Sequence, residues 1–159
     1  MRQELVQLGN GAHALAIQIL GNSDDAADAV HDAYIAVLDK PGSYDSGKGP
    51  LKPWFLRVVR NRCIDLLRKR RTDGVGIDLL LAPGAMPDES LEAVERDLAL
   101  HGALAMIKPE QRQIVVLRDY LDLSYAEIAA VLEIAPGTVM SRLHRARLAL
   151  KDELEEQHE

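Results

Sequence analysis

The chain has 159 residues, 47% of them hydrophobic but only 4% aromatic, which suits helices built from Ala, Leu, Val and Ile and one or two small domains. Its formal net charge of −6 is no argument against nucleic acid, because charge is segregated along the chain: residues 51–71 carry a local balance of +7 and residues 72–104 one of −6. Cys63 is the only cysteine, so an internal disulfide is excluded and a cysteine-based zinc site is not expected.

No apolar run reaches membrane-spanning length and no basic-then-apolar leader opens the chain, so no membrane insertion is expected and the cytoplasm is the expected compartment. A first helix is predicted over residues 2–20, with Leu5, Leu8, Ala12, Leu15, Ala16 and Ile19 at near-helical spacing. Gly21-Asn22-Ser23 ends it, and Asn22 or Ser23 can cap a second helix over 24–38 whose first turn carries Asp24 and Asp25, where the helix dipole favours acids. Ala26, Val30, Ala33, Tyr34 and Val37 face one way. The other side shows Asp24, Asp28, His31, Asp32, Ile35 and Asp39. An isoleucine among carboxylates suits docking on a basic, partly apolar partner, and a solvated acidic face is the plainer alternative. His31 has no second ligand at suitable spacing, and no metal is expected.

Residues 40–50 are dense in Pro, Gly and Ser and read as a surface loop. The helix that follows, 51–71, gathers Arg57, Arg60, Asn61, Arg68 and Arg71 within roughly 100° of arc, opposite Leu51, Phe55, Val59, Cys63, Leu66 and Leu67. An aromatic near its start, an Asn on its basic face and an Arg-rich end can bind DNA backbone and an unstacked base. The run Arg68-Lys69-Arg70-Arg71 can equally be a solvated helix terminus. Residues 73–88 mix Gly, Pro and acids without period and read as a flexible linker, dividing the chain into residues 1–72 and 89–159.

Helices are predicted again over 89–107 and 109–120, the second with Pro109 in its first turn. Ser124 with Glu127 forms a capping box opening a short helix that buries Ile128, Ala129 and Leu132. After a tight turn, Pro136 starts another helix reaching about Leu150, with Val139, Leu143, Ala146 and Leu150 on its inner stripe and an acidic tail that frays. This is a helix-turn-helix. Its outward side carries Met140, Ser141, His144, Arg145 and Leu148, flanked by Thr138, Arg142 and Arg147. Such a side enters the DNA major groove, where Arg bonds guanine bidentately and Ser bonds a base edge or phosphate, so Arg145 and Ser141 are the base-reading candidates. The fold expected is all-α, two small helical domains of which the second is the helix-turn-helix. No Gly-rich phosphate loop, metal-ligand set or nucleophile-base constellation is present, so neither an enzyme nor a cofactor is expected.

Three segments in this order resemble those of an extracytoplasmic-function sigma factor, of the sigma-70 family of bacterial RNA polymerase initiation factors. Asp24 to Tyr34 resembles the family's region 2.2 docking pattern, Trp54 to Arg68 its Trp-Leu-x-x-Ile-Ala-x-Asn helix of regions 2.3 and 2.4, and Ser124 to Arg147 its region 4.2 with the Gly-Thr-Val-x-Ser-Arg-Leu core. The resemblance implies core RNA polymerase and promoter DNA as partners. Asp24, Asp28, His31, Asp32 and Ile35 would dock on the β′ clamp helices, and the second domain would meet the β flap. Lys48 in the specificity loop and Trp54, Arg57, Arg60, Asn61 and Arg68 would open and read the minus-10 element. Thr138, Ser141, Arg142, His144, Arg145 and Arg147 would read the minus-35 element as duplex. An anti-sigma factor is implied as well, although no residue identifies one. Met140 stands where the family often has Lys or Arg, His31 replaces a common Gln, and the Lys48-Gly49-Pro50-Leu51-Lys52-Pro53 run departs from the family's usual loop. A stand-alone helix-turn-helix regulator is the alternative, and it leaves the acidic helix and the Trp54 helix without a role.

Overall fold

The structure, a computed structural model, describes residues 2–72 and 91–157, and most of these are helical with no strand among them. The linker expected over 73–88 lies outside the described residues. None of the described helices is long and apolar enough to cross a membrane.

The predicted first helix is two, α1 (Arg2–Gln7) and α2 (Gly9–Leu20), which meet at Leu8. Two close approaches explain the glycines at this junction. A Cβ on Gly9 would stand 3.0 Å from the Tyr34 hydroxyl, and one on Gly11 would stand 2.9 Å from a methyl of Leu121. Gly21 closes α2 in the left-handed conformation, φ 73°, and returns its N–H to the Ile17 carbonyl at 2.8 Å. Of the two residues able to cap α3 (Ser23–Asp39), Asn22 does so, its side-chain oxygen accepting the Asp25 N–H at 3.1 Å.

Helix α3 buries Ala26, Ala29, Val30, Ala33 and Val37 against α2 and α4 (Leu51–Thr72). Tyr34 fastens this corner. Its hydroxyl donates to the Leu5 carbonyl at 2.5 Å and its ring lies 4.9 Å from that of Phe55. On α4 the buried set is Leu51, Pro53, Phe55, Leu56, Val59 and Cys63; the expected core positions Leu66 and Leu67 are only half-buried, because the helix runs past its neighbours toward its basic end. Burial pushes the Cys63 thiol up to about 12, so it stays protonated and packs as a small apolar group.

In the second half, α5 (Leu91–Met106) and α6 (Pro109–Val115) are followed by a wider π turn over Val116–Tyr120, where a single α-helix to residue 120 was expected. The Leu121 N–H reaches back to the Val116 carbonyl at 2.9 Å, and Val116, Leu117 and Leu121 are all buried. The extra residue per turn thus keeps Leu121 facing inward while Tyr120 remains exposed.

The helix-turn-helix forms where the sequence predicts it, but Leu132 and Leu150, expected inside, are only half-buried, and Val131 is the buried residue at the end of the first helix. Ser124 Oγ accepts the Glu127 N–H at 3.1 Å, and Glu127 Oε1 accepts the Ser124 N–H at 2.9 Å, opening α7 (Tyr125–Leu132). Glu133 turns the chain in the left-handed conformation, φ 57°. Helix α8 (Pro136–Gln157) buries Val139, Leu143 and Ala146. It continues seven residues beyond the predicted end, through the segment expected to fray. Strong helix formers, a Lys151–Glu155 pair at 3.9 Å and the half-buried Leu154 sustain it.

The two halves pack on each other. Helix α2 packs on α6 and α4 on α7, and one apolar cluster runs from Leu5, Leu15 and Phe55 through Ile114, Leu117 and Ile128 to Leu143. Polar bonds cross the same seam. Arg112, only 3% exposed, donates Nε–H to the Gln18 carbonyl at 3.2 Å and Nη1–H to the Ile107 carbonyl at 2.9 Å. Lys52 Nζ donates to the Leu121 carbonyl at 2.6 Å.

Candidate nucleic-acid interface

On α8 the buried stripe fixes the opposite side outward. Ser141, Arg142, His144 and Arg145 are exposed and Thr138 is half-buried beside them. Ser141 Oγ donates to the Thr138 carbonyl at 3.1 Å, which leaves its oxygen lone pairs outward as acceptors. Arg147 is placed differently from the other candidates. Its guanidinium grips Asp119 through Nε–H to Oδ2 at 3.1 Å and Nη2–H to Oδ1 at 2.5 Å, and this hydrogen bond raises its pKa. Arg147 therefore braces α8 on the π turn, where Arg118 also stacks over the Tyr125 ring at 5.0 Å.

The 40–50 loop folds as two short 3₁₀ turns, Pro41–Ser43 and Ser46–Lys48. Asp45 Oδ1 accepts the Gly47 N–H at 2.9 Å, and the Tyr44 hydroxyl donates to the Gly49 carbonyl at 2.7 Å. The loop is thereby held against α4, where the Tyr44 and Trp54 rings lie 5.0 Å apart. Lys48, Trp54 and Arg57 line a cavity of about 430 Å³ beside this tilted ring pair, and Ala126, Glu127 and Ala130 of α7 form its other wall. On the α4 side of this pocket Lys48 and Arg57 supply cations and the Tyr44–Trp54 pair, its rings tilted at 44°, supplies an aromatic surface on which a base can lie once α7 is moved away.

Asn61 and Arg68 are exposed further along α4. Arg60, on the same face, is engaged within the chain: its Nε–H donates to Gln113 Oε1 of α6 at 3.0 Å. Burial lowers the Arg60 pKa and the Glu133 carboxylate raises it in part; the group stays charged. Lys48, Trp54 and Arg57 thus share one pocket, Asn61 and Arg68 lie on open surface, and Arg60 sits in the seam. The basic end of α4 is partly used internally too, since Arg70 pairs with Asp25 of α3.

All five candidates on α3, Asp24, Asp28, His31, Asp32 and Ile35, are exposed on one side, with Ile35 at 46%. This face lies opposite the α3 stripe packed on α2 and α4, so an external partner can reach it without unfolding the chain. Among the described residues no group of three or more His, Cys, Asp and Glu side chains is arranged to hold a metal ion.

Four residues that organise these surfaces carried no signal in the sequence: Tyr44 under Trp54, Gln113 on Arg60, Asp119 on Arg147 and the buried Arg112.

Residues 5–72 match the family model described as sigma-70 region 2, and residues 97–150 match sigma-70 region 4. The extracytoplasmic-function RNA polymerase sigma factor SigE of Mycolicibacterium smegmatis is 35% identical over 95% of this chain and 60% of its own length. SigL of Mycobacterium tuberculosis, another sigma factor of that kind, is 34% identical over 89% of this chain and 81% of its own. In three dimensions the chain is similar to the sigma factor RpoE of Bartonella quintana, solved in complex with the anti-sigma factor NepR: TM-score 0.77, 30% identity, covering 97% of this chain and 96% of that one.

Proposed function

The chain belongs to the extracytoplasmic-function branch of the sigma-70 family, and from that premise we propose how its surfaces divide the work of directing core RNA polymerase to a promoter. The carrying observation is that one chain presents two helices with exposed basic residues, α4 with its loop and α8, beside an acidic helix whose outer side is exposed.

Helix α3 docks on core polymerase. Asp24, Asp28, His31 and Asp32 steer a basic helical surface of the β′ clamp, and burial of Ile35 adds hydrophobic gain to the electrostatic approach. Helix α4 and the 40–50 loop take the minus-10 element. Arg57, Arg60 and Arg68 hold backbone phosphates, Lys48 and Trp54 receive an unstacked base, and Asn61, exposed further along α4, bonds the edge of a base beyond that pocket. Helix α8 takes the minus-35 element as duplex. Arg145 and Ser141 read base edges, and Thr138, Arg142 and His144 position the helix on phosphates. The second half meets the β flap.

This division requires the seam to open. While α7 walls the Trp54 pocket and Gln113 holds Arg60, a promoter strand cannot occupy that side of α4. Polymerase that fixes the two halves apart converts two weak DNA contacts into one strong one, so the free chain binds promoters poorly. The similar RpoE was captured with an anti-sigma factor. By that likeness an anti-sigma factor binds this chain and keeps it from polymerase.

Run-off transcription with core polymerase tests the reading: promoter-specific transcript appears only when this chain is added. Tight, specific operator binding by the free chain with no dependence on core polymerase would instead identify a stand-alone regulator.

A further inference from the structure

Helix α8 carries Arg142, Arg145, Arg147 and Lys151 and no carboxylate from Pro136 through Lys151. Within this basic stretch Met140 is 62% exposed, and one and two turns further on the same side stand exposed His144 and Leu148, the latter at 48%. Single exposed apolar residues are ordinary on protein surfaces. Here the apolar side chain stands in the N-terminal half of a recognition helix, the part whose side chains reach base edges, among cations that attract phosphates rather than an apolar protein.

Only one apolar group is displayed on the major-groove edge of a base pair, the C5-methyl of thymine. A flexible, polarizable thioether side chain can follow such a methyl without strict geometry, which Lys or Arg at the same place could not do without losing hydration. We propose that Met140 is a specificity residue that reads the C5-methyl of a thymine in the duplex bound by α8. The proposal rests on the duplex-reading role of α8 given above and adds to it a base preference that the polar side chains do not supply.

Full-length chain assembled with core polymerase is used to select minus-35 duplexes from random DNA, and each thymine of the selected element is then replaced singly by uracil, which removes only the methyl. At one position uracil weakens binding by about fourfold, the value of one buried methyl-sized group. Met140→Ala is indifferent to uracil at that position, while Met140→Leu keeps the sensitivity. Indifference of the unmodified chain to every thymine-to-uracil change, a selected element without thymine, or undiminished sensitivity in Met140→Ala overturns the proposal. Failure to select any specific duplex is a different result, overturning the minus-35 reading of α8 itself and the Met140 assignment with it.

Discussion

Arg60 of α4 and Gln113 of α6, 53 residues apart, are joined by a 3.0 Å hydrogen bond from the Arg60 Nε–H to Gln113 Oε1. The bond ties a guanidinium proposed for the promoter backbone to the half of the chain that carries the helix-turn-helix, so the closed seam and minus-10 binding compete for the same donor. Gln113→Leu keeps the volume and removes the acceptor. It is expected to lower stability by about 1.5 kcal/mol in urea titration, the lower end of the range for a bond to a charged group because Arg60 is only half-buried. It also raises the free chain's affinity for single-stranded minus-10 DNA, measured by fluorescence anisotropy, because Arg60 no longer has to be released. Unchanged affinity together with the stability loss would remove Gln113 from that competition.

Arg112 supports the seam differently, from within. Its charge is nearly wholly buried, burial lowers its pKa with Glu110 partly offsetting this, and two carbonyls from different halves of the chain accept its hydrogen bonds. Arg112→Ala leaves the Gln18 and Ile107 carbonyls without that donor and opens a void. A loss of about 3 kcal/mol is expected, from charge-assisted bonds of about 1.5–3 kcal/mol in an unfilled site. Calorimetry checks it: the variant melts at lower temperature, and its two halves no longer unfold in one cooperative transition.

Cys63 gives the pH dependence. Its thiol is raised from an ordinary 9.0 to about 12 by burial, with Arg60 pulling slightly the other way. Folded chain therefore keeps the proton over a range in which unfolded chain releases it. The unfolded state binds fewer protons between those values, so this group's contribution to stability is intact below about pH 9 and declines toward about 12. Thiol labelling at pH 8 is expected to be slow in the native chain and fast in urea. In Cys63→Ala the part of the alkaline decline due to this group disappears.

Arg145 is exposed on the outward side of α8. Arg145→Ala is expected to weaken discrimination among minus-35 variants by about 1–3 kcal/mol, the range for one bidentate base contact, in competition binding by the assembled polymerase. Uniform weakening across all variants would assign it to a phosphate instead.

Local chemistry explains which of these features were legible in the sequence. Ser124 and Glu127, Asn22 and Asp25, and the Val139, Leu143 and Ala146 stripe each act within a turn or two, so spacing alone reveals them. Arg60 with Gln113, Arg147 with Asp119 and Arg112 with Gln18 are separated by 53, 28 and 94 residues, and nothing in local pattern links such partners. The same limit hid the closed seam. An amphipathic stripe shows that a face is buried but not against which helix, and α4 and α7 each bury residues on the other. The π turn was missed because its apolar residues satisfy an α-helical pattern until Leu121, where one extra residue is accommodated.

The outer face of α3 is set by the opposite constraint. Ala26, Ala29, Val30, Ala33 and Val37 must face α2 and α4, which leaves Asp28, Asp32 and Ile35 in water with no fold-stabilising task apparent from their burial. Asp28→Lys with Ile35→Asp is therefore expected to leave thermal unfolding nearly unchanged, since exposed substitutions of this kind shift stability by about 0.5 kcal/mol or less. Core polymerase affinity should fall by tenfold or more, because the pair removes one steering charge, reverses it, and puts a carboxylate where an apolar side chain is desolvated. Co-elution on a sizing column and surface-binding kinetics measure this. The loss should lie largely in the association rate for Asp28→Lys and in the dissociation rate for Ile35→Asp. Holoenzyme that assembles with unaltered kinetics in the double variant would exclude this face as the docking surface and leave α3 as structural support for Tyr34 and Phe55 alone.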